Sequence, residues 1–183
     1  MTRKRDAART RQAILRAAQT IFSIRSYGDA SIKDITALAG VNPALVSRYF
    51  GSKEKMYEAA LGDMLDTGKL TSVTRENFGK LVAERFTSET EEDINPLPML
   101  VFAASDERIR KIAVRLLAKK TLGPLQDHIG GKNAELRAAQ IMAISTGFFT
   151  YRLVLPLAPF QGQVSPHVRD WLAKSLQMIM DAD

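Results

Sequence analysis

The chain has 183 residues, 45% of them hydrophobic and 25% charged, a balance that excludes wholesale disorder and suits one compact domain or a small module joined to a larger one. It contains no Cys, which excludes a disulfide scaffold, thiolate zinc sites, iron–sulfur clusters and thiol catalysis, and fits a reducing cytoplasm. The net charge is +6 and all of it sits in the first third: residues 1–60 hold 11 basic and 5 acidic side chains, whereas residues 61–183 hold 15 of each. That split suits a front end that meets a polyanion, followed by a neutral remainder. A solvated basic face that binds nothing is the plainer alternative.

Helical spacing runs through the whole chain, and no strand-like alternation of any length is present, so the expected fold class is all-α. Residues 7–26 place Ile14, Leu15, Ala18, Ile21 and Phe22 on one face, with Arg9, Arg11, Gln12 and Arg16 opposite. Gly28 is expected to close this helix in a left-handed conformation. Ser31 and Asp34 form a capping-box pattern for a second helix, with Ile35 and Leu38 facing inward and Gly40 as its stop. Asn42-Pro43 opens a third short helix with Val46 and Phe50 inward, and Gly51 ends it. Ser52 caps a fourth, from Lys53 to about Thr67, with Met56, Ala60, Leu61 and Met64 as its stripe.

Arg75–Phe86 is the next helix, and the polar acidic run 88–93 follows as a loop. Asn95-Pro96 opens a short buried helix through Ala104, and Asp106 caps one from Glu107 to Leu122, which Gly123-Pro124 breaks or kinks. Gly130-Gly131 is a loop. Asn133 is read as the cap of a long helix to about Leu153, apolar on more than one face. Ser165-Pro166 caps the last, which ends near Met180. The longest purely apolar run, residues 99–104, is far shorter than the ~18 residues of a membrane span. No apolar segment follows the basic start, so neither a signal peptide nor membrane association is expected.

Residues 31–50 have the spacing of a helix-turn-helix. Gly40 permits the sharp turn and Val41 can plug the angle between the helices. The outer face of the second helix is then small and polar, with Asn42, Ala44, Leu45, Ser47, Arg48 and Tyr49 on or beside it. A helix with such a face fits a major groove about 12 Å wide. Arg48 is the best donor for the O6 and N7 of guanine; a phosphate contact or a solvated side chain is the alternative.

Residues 9–60 further resemble the DNA-binding domain of the tetracycline-repressor (TetR) family of bacterial transcriptional regulators. The resemblance is carried by Arg11-Gln12-Ala13-Ile14-Leu15-x-Ala17-Ala18-x-x-Ile21-Phe22, by Tyr27-Gly28 and by Ser31-Ile32-x-x-Ile35-Thr36-x-x-Ala39-Gly40-Val41. It ends in Val46-x-x-Tyr49-Phe50-Gly51-Ser52-Lys53-Glu54-Lys55. It covers about a third of the chain. Many relatives have an aromatic residue or His at the place of Ser47 and a small polar residue at that of Asn42, so base preference is not carried over.

The resemblance implies an N-terminal three-helix helix-turn-helix domain, residues 1–52, and a C-terminal helical ligand-binding and dimerisation domain, residues 53–183. It implies double-stranded DNA as partner, with Tyr49 and Lys53 on phosphate, and Ser31 capping a helix whose N-terminus can also meet one. Arg3, Lys4, Arg5 and Arg9 form a basic arm for the backbone or minor groove. It also implies a homodimer. Two half-sites one turn apart need two heads, and the apolar faces of the terminal helices offer Ile144, Phe148, Tyr151, Trp171, Leu172, Leu176 and Ile179 as interface, with ordinary intramolecular core as the alternative for each. A small apolar effector is implied as well, with Phe78, Phe86, Met99, Phe102, Leu116 and Met142 as pocket candidates and His128 and Arg152 as polar anchors.

No cofactor and no metal are expected, because the chain has only His128 and His167, no Glu-x-x-His pair, no phosphate-binding Gly loop and no Gly-x-Ser-x-Gly elbow. The same inventory argues against an enzyme. The function expected is a cytoplasmic repressor that leaves a palindromic operator when its effector binds. A DNA-binding activator, or a helical dimer acting through protein partners, is the alternative.

Overall fold

The computed structural model describes residues 2–88 and 94–182, apart from the side chains of residues 2–5 and Lys69. The acidic run after Ser88 and the arm side chains Arg3, Lys4 and Arg5 lie outside the described part. Eleven α-helices occur among the described residues, with no strand. In chain order they are α1 (Thr2–Ile24), α2 (Ile32–Ala39), α3 (Ala44–Phe50), α4 (Lys53–Met64), α5 (Gly68–Thr71) and α6 (Phe78–Thr87). Then come α7 (Leu97–Ala103), α8 (Glu107–Leu117), α9 (Gly123–Ile129), α10 (Ala134–Phe149) and α11 (Pro166–Asp181).

The chain forms two compact units: Met1–Leu65 with Ile94–Leu116, and Asp66–Asp93 with Leu117–Asp183. A boundary after residue 52 does not follow this division, because α4 packs on α1 and α3 within the first unit. The reason lies in α4's own stripe: Met56, Tyr57, Ala60 and Leu61 are all buried.

The first unit is built on α1, whose Ile14, Ala18 and Phe22 are buried at spacings of four. α1 packs on α2, whose Ile35 is buried, and on the α4 stripe, and α3 packs on α4 with Val46 and Phe50 buried. Caps fix most of its helix starts. Ser31 Oγ accepts from Asp34 N–H at 3.0 Å while the Asp34 carboxylate accepts from Ser31 N–H, a complete capping box. Ser52 Oγ accepts from Lys55 N–H. Asn42 Oδ1 and Asn95 Oδ1 accept from the N–H two residues on, and Asp106 Oδ1 accepts from Arg108 and Ile109 N–H.

Two local expectations fail here. Leu38 is 55% exposed, because Thr36 takes the inner place and is buried, its hydroxyl donating to Ile32 O within the helix. Gly28 is not left-handed; the turn after α1 closes by Ala30 N–H to Ser26 O and by Ser26 on Asp29.

The second unit holds its core between α6, α9, α10 and α11, with Phe78, Val82, Ile129, Ile141, Phe148, Leu172 and Leu176 inside. Gly123-Pro124 does not break the chain's helical path. A π-turn over Ala118–Leu122 widens the helix before Pro124 and leads into α9. A second π-turn, Thr150–Val154, ends the α10 run. Asn133 has left-handed φ of 58° and makes no side-chain cap, so the start of α10 is not capped as expected. Ser165 does cap α11, accepting from Val168 N–H.

Candidate nucleic-acid interface

The two short helices α2 and α3 are joined by a turn that only a few backbone conformations allow. Gly40 has φ of 66°, and the N–H groups of Gly40 and Val41 return to Ala37 O and Thr36 O. A side chain at that φ would be strained. Val46 and Phe50 anchor α3 from below. Arg11 of α1 lies over the Phe50 ring, 4.9 Å from its centroid, so this arginine braces α3 in addition to charging the surface.

The outer face of α3 is open. Asn42, Ala44, Ser47 and Arg48 are exposed, and Leu45 and Tyr49 are half-buried at its edges. Arg48 sits 5.9 Å from the Tyr49 ring centroid, which steers the guanidinium along the helix face. Asn42 spends its carbonyl oxygen on the cap and keeps its amide N–H groups for outside partners.

Ser31 and Lys53 are more committed. The Ser31 hydroxyl both donates to and accepts from Asp34, and Arg25 pairs with the same carboxylate at 3.0 Å. Asp34 is held below the usual carboxylate range, first by the Ser31 hydroxyl and then by its backbone N–H. That carboxylate accepts from the Ser31 N–H just before α2. Lys53 donates to Tyr27 O at 2.5 Å, with its ammonium 4.3 Å from the Tyr27 ring centroid. Burial there lowers its proton affinity, against the pull of Asp29. Tyr27 as the partner of Lys53 is 26 residues away in sequence, and no local signal announces it.

The expected effector residues divide between the two units. Phe78, Phe86 and Met142 belong to the second unit, and Met99, Phe102 and Leu116 to the first. Phe78 and Met99 are fully buried core side chains. Two hollows among the described residues have other linings: one of about 490 Å³ is lined by Thr87, Gln163, Ser165 and Arg169 among others, and one of about 480 Å³ by Gln140, Ala143, Ile144, Met178, Ile179 and Ala182. Arg152 is no free anchor, since it donates to Phe160 O and Gly162 O. His128 has its Nε2 buried without a partner in the described structure, beside Phe78.

The expected interface residues divide in two. Phe148, Leu172, Leu176 and Ile179 are buried within the chain, because α10 and α11 turn those positions onto each other and α11 turns its own onto α6. Tyr151 and Trp171 are 44% and 48% exposed, and Ile144 lines the second hollow. Met178, 70% exposed beside that hollow, was not expected from sequence. Among the described residues no helix is long and apolar enough to cross a membrane, and no cluster of three metal-ligating side chains occurs.

Comparison with known proteins adds to this geometry. Residues 14–60 match a family profile described as bacterial regulatory proteins, tetR family, and residues 76–180 match the tetracyclin repressor-like C-terminal domain. Over 59 residues the chain is 41% identical to the HTH-type transcriptional repressor NicS of Pseudomonas putida, covering 32% of this chain and 28% of that protein. The match thus spans less than a third of that relative's length. A TetR-family transcriptional regulator from Rhodococcus sp. superposes with a TM-score of 0.75 at 17% identity, over 95% of this chain and 100% of that one. A transcriptional regulator from Saccharomonospora viridis, solved in complex with choline, gives 0.63 at 16% identity, over 90% and 93%.

Proposed function

Since the chain belongs to the tetR family of bacterial regulatory proteins, and is therefore a DNA-binding transcriptional regulator rather than an enzyme, we propose that it is a homodimeric repressor of a palindromic operator, released by a small-molecule effector. The exposed polar face of α3 carries this reading: Asn42, Ala44, Ser47 and Arg48 stand clear of the core on a helix pinned by Val46, Phe50 and Arg11. In the groove, Arg48 and Asn42 read base edges while Tyr49 and Lys53 take phosphates. The capping box at Ser31 holds α2 at a fixed angle of entry rather than offering its hydroxyl outward.

Dimerisation is assigned to the parts of α10, α11 and the turn between them that stay open: Ile144, Tyr151, Trp171 and Met178. Pairing two heads makes half-sites about 34 Å apart readable together. An effector acts by favouring a state of the dimer in which that spacing is lost. The choline complex of the Saccharomonospora regulator supports a ligand of small size, and its identity here is open to screening.

The test is selection from randomised duplex DNA at two salt concentrations, followed by sequencing. The expected result is an enriched palindrome whose half-sites lie one turn apart, with affinity falling steeply as salt rises. Salt-sensitive binding without any enriched sequence would sink the operator reading.

A further inference from the structure

Lys53 is a lysine at the rim of a nucleic-acid interface, and such a side chain ordinarily moves through many rotamers in water. Here it does not stand free. Its Nζ donates to the backbone carbonyl of Tyr27 at 2.5 Å and lies 4.3 Å from the centre of the Tyr27 ring. The ring is itself fixed. It stacks on Phe22 with centroids 6.0 Å apart and planes 17° apart, and meets Tyr57 edge-on at 5.6 Å. Phe22 and Tyr57 are core side chains 1% and 2% exposed, and Tyr57 Oη donates to Met99 O at 3.2 Å. The place of the ammonium is thereby referred to the core of the first unit through three aromatic rings.

The geometry points to Tyr27 as the positioning residue for Lys53: its carbonyl and ring face hold the ammonium at the start of α4, ready for a DNA phosphate, before DNA arrives. This rests on the reading of Lys53 as a phosphate contact. The carbonyl uses one of the three ammonium donors and leaves two. The ring replaces part of the water shell with a cation–π contact, so less hydration is lost when a phosphate approaches. The lowered proton affinity of Lys53 agrees with that partial desolvation. Tyr27 needs no contact with DNA to matter.

A double-mutant cycle on the full chain tests this, read as binding to a fluorescein-labelled 40-base-pair duplex of mixed sequence between 50 and 200 mM KCl. Lys53→Ala should weaken binding and lower the slope of log affinity against log salt by about 0.9 for each engaged head. Tyr27→Leu should weaken it roughly two- to fivefold per head with the slope unchanged, because the charge and the backbone carbonyl remain but the ring face that fixes the ammonium is lost. In the Lys53→Ala background Tyr27→Leu should add nothing, and Tyr27→Phe, which unlike Leu keeps the ring, should hold the parental affinity. Equal losses from Tyr27→Leu with and without Lys53 would overturn the proposal, as would a Lys53→Ala protein with parental affinity and slope.

A parent that ignores the duplex at every salt would sink the DNA-binding reading as well, and is told apart by that alone. If Tyr27→Leu fails to fold, the parent still decides the matter by proton NMR. The Lys53 side-chain methylene protons should be shifted upfield by the Tyr27 ring in the free protein, and ordinary shifts there would overturn the proposal.

Discussion

The two units of this chain end and aim their helices by different means. In the first, short-range polar contacts do it: Ser31 with Asp34, Asn42 with Ala44, Ser52 with Lys55, each within three residues. In the second, Ser165 caps α11 in the same local way, but the ends of α9 and α11 are also held by side chains far away. Arg137 of α10 donates to the carbonyls of Ile179 and Met180 at the end of α11, and Arg75 donates to Met180 O and Ile129 O. Gln177 of α11 accepts from Gly79 N–H and donates to Arg75 O. The helix starts of the reading head are locally specified, whereas the end of α11 in the second unit is fixed only once its helices have met.

The comparison breaks first at Gly79. An added Cβ there would lie 2.1 Å from Ala173 O and 2.8 Å from Gln177 N, both backbone atoms of α11. Backbone cannot rotate away as a side chain can, so α6 and α11 must part. Gly79→Ala gains about 1 kcal/mol of helix propensity and should still lose more than about 3 kcal/mol overall. Urea unfolding followed by the fluorescence of Trp171, the single tryptophan, reads this in the second unit. A midpoint equal to or above the parent's would show that the helices do not approach so closely.

The next break is Arg137. It is 5% exposed and its guanidinium faces two carbonyls that end α11. Arg137→Met keeps the length of the side chain and removes the donors. Ile179 O then loses its side-chain donor, while Met180 O keeps Arg75. The expected cost is about 1–3 kcal/mol, that of a buried acceptor left short of donors. The same Trp171 transition measures it, and an unchanged midpoint would mean that the α11 carbonyls are satisfied otherwise.

These contrasts explain what could be read in advance. The helix-turn-helix, its Gly40 turn, the Ser31 box, the Ser52 cap and the polar face of α3 were legible because each is written within a few residues. Leu38 reads as inward-facing because a spacing of three from Ile35 allows either rotation of a two-turn helix, and Thr36 takes the inner place by bonding its hydroxyl within the helix. From sequence Gly123-Pro124 reads as a break or a kink, because the π-turn that accommodates Pro124 has no local code. For Phe148, Leu172 and Leu176 the sequence leaves interface and intramolecular core both open, because an apolar stripe does not say whether its cover comes from the same chain. The Lys53–Tyr27 and Tyr57–Met99 bonds join residues 26 and 42 apart, beyond any periodicity argument.

The smallest effect sharpens the account of the head. Asp34 is held below the usual carboxylate range because Ser31 donates to it twice and Arg25 stands beside it. In the unfolded chain the same group titrates near the ordinary value, about pH 4. Its contribution to stability is therefore complete above that value and fades as pH falls through the lower folded value. Asp34→Asn removes this dependence, since an amide can still accept from Ser31 N–H but cannot titrate. Following the Ser31 and Asp34 amide resonances from pH 6 to pH 2 should give a midpoint below the ordinary range in the parent and no midpoint in the variant. A parental midpoint at or above pH 4 would mean that the box does not close in solution. The most locally encoded feature of the head would then have to be held by the core after all, and the contrast between the two units would lose its first term.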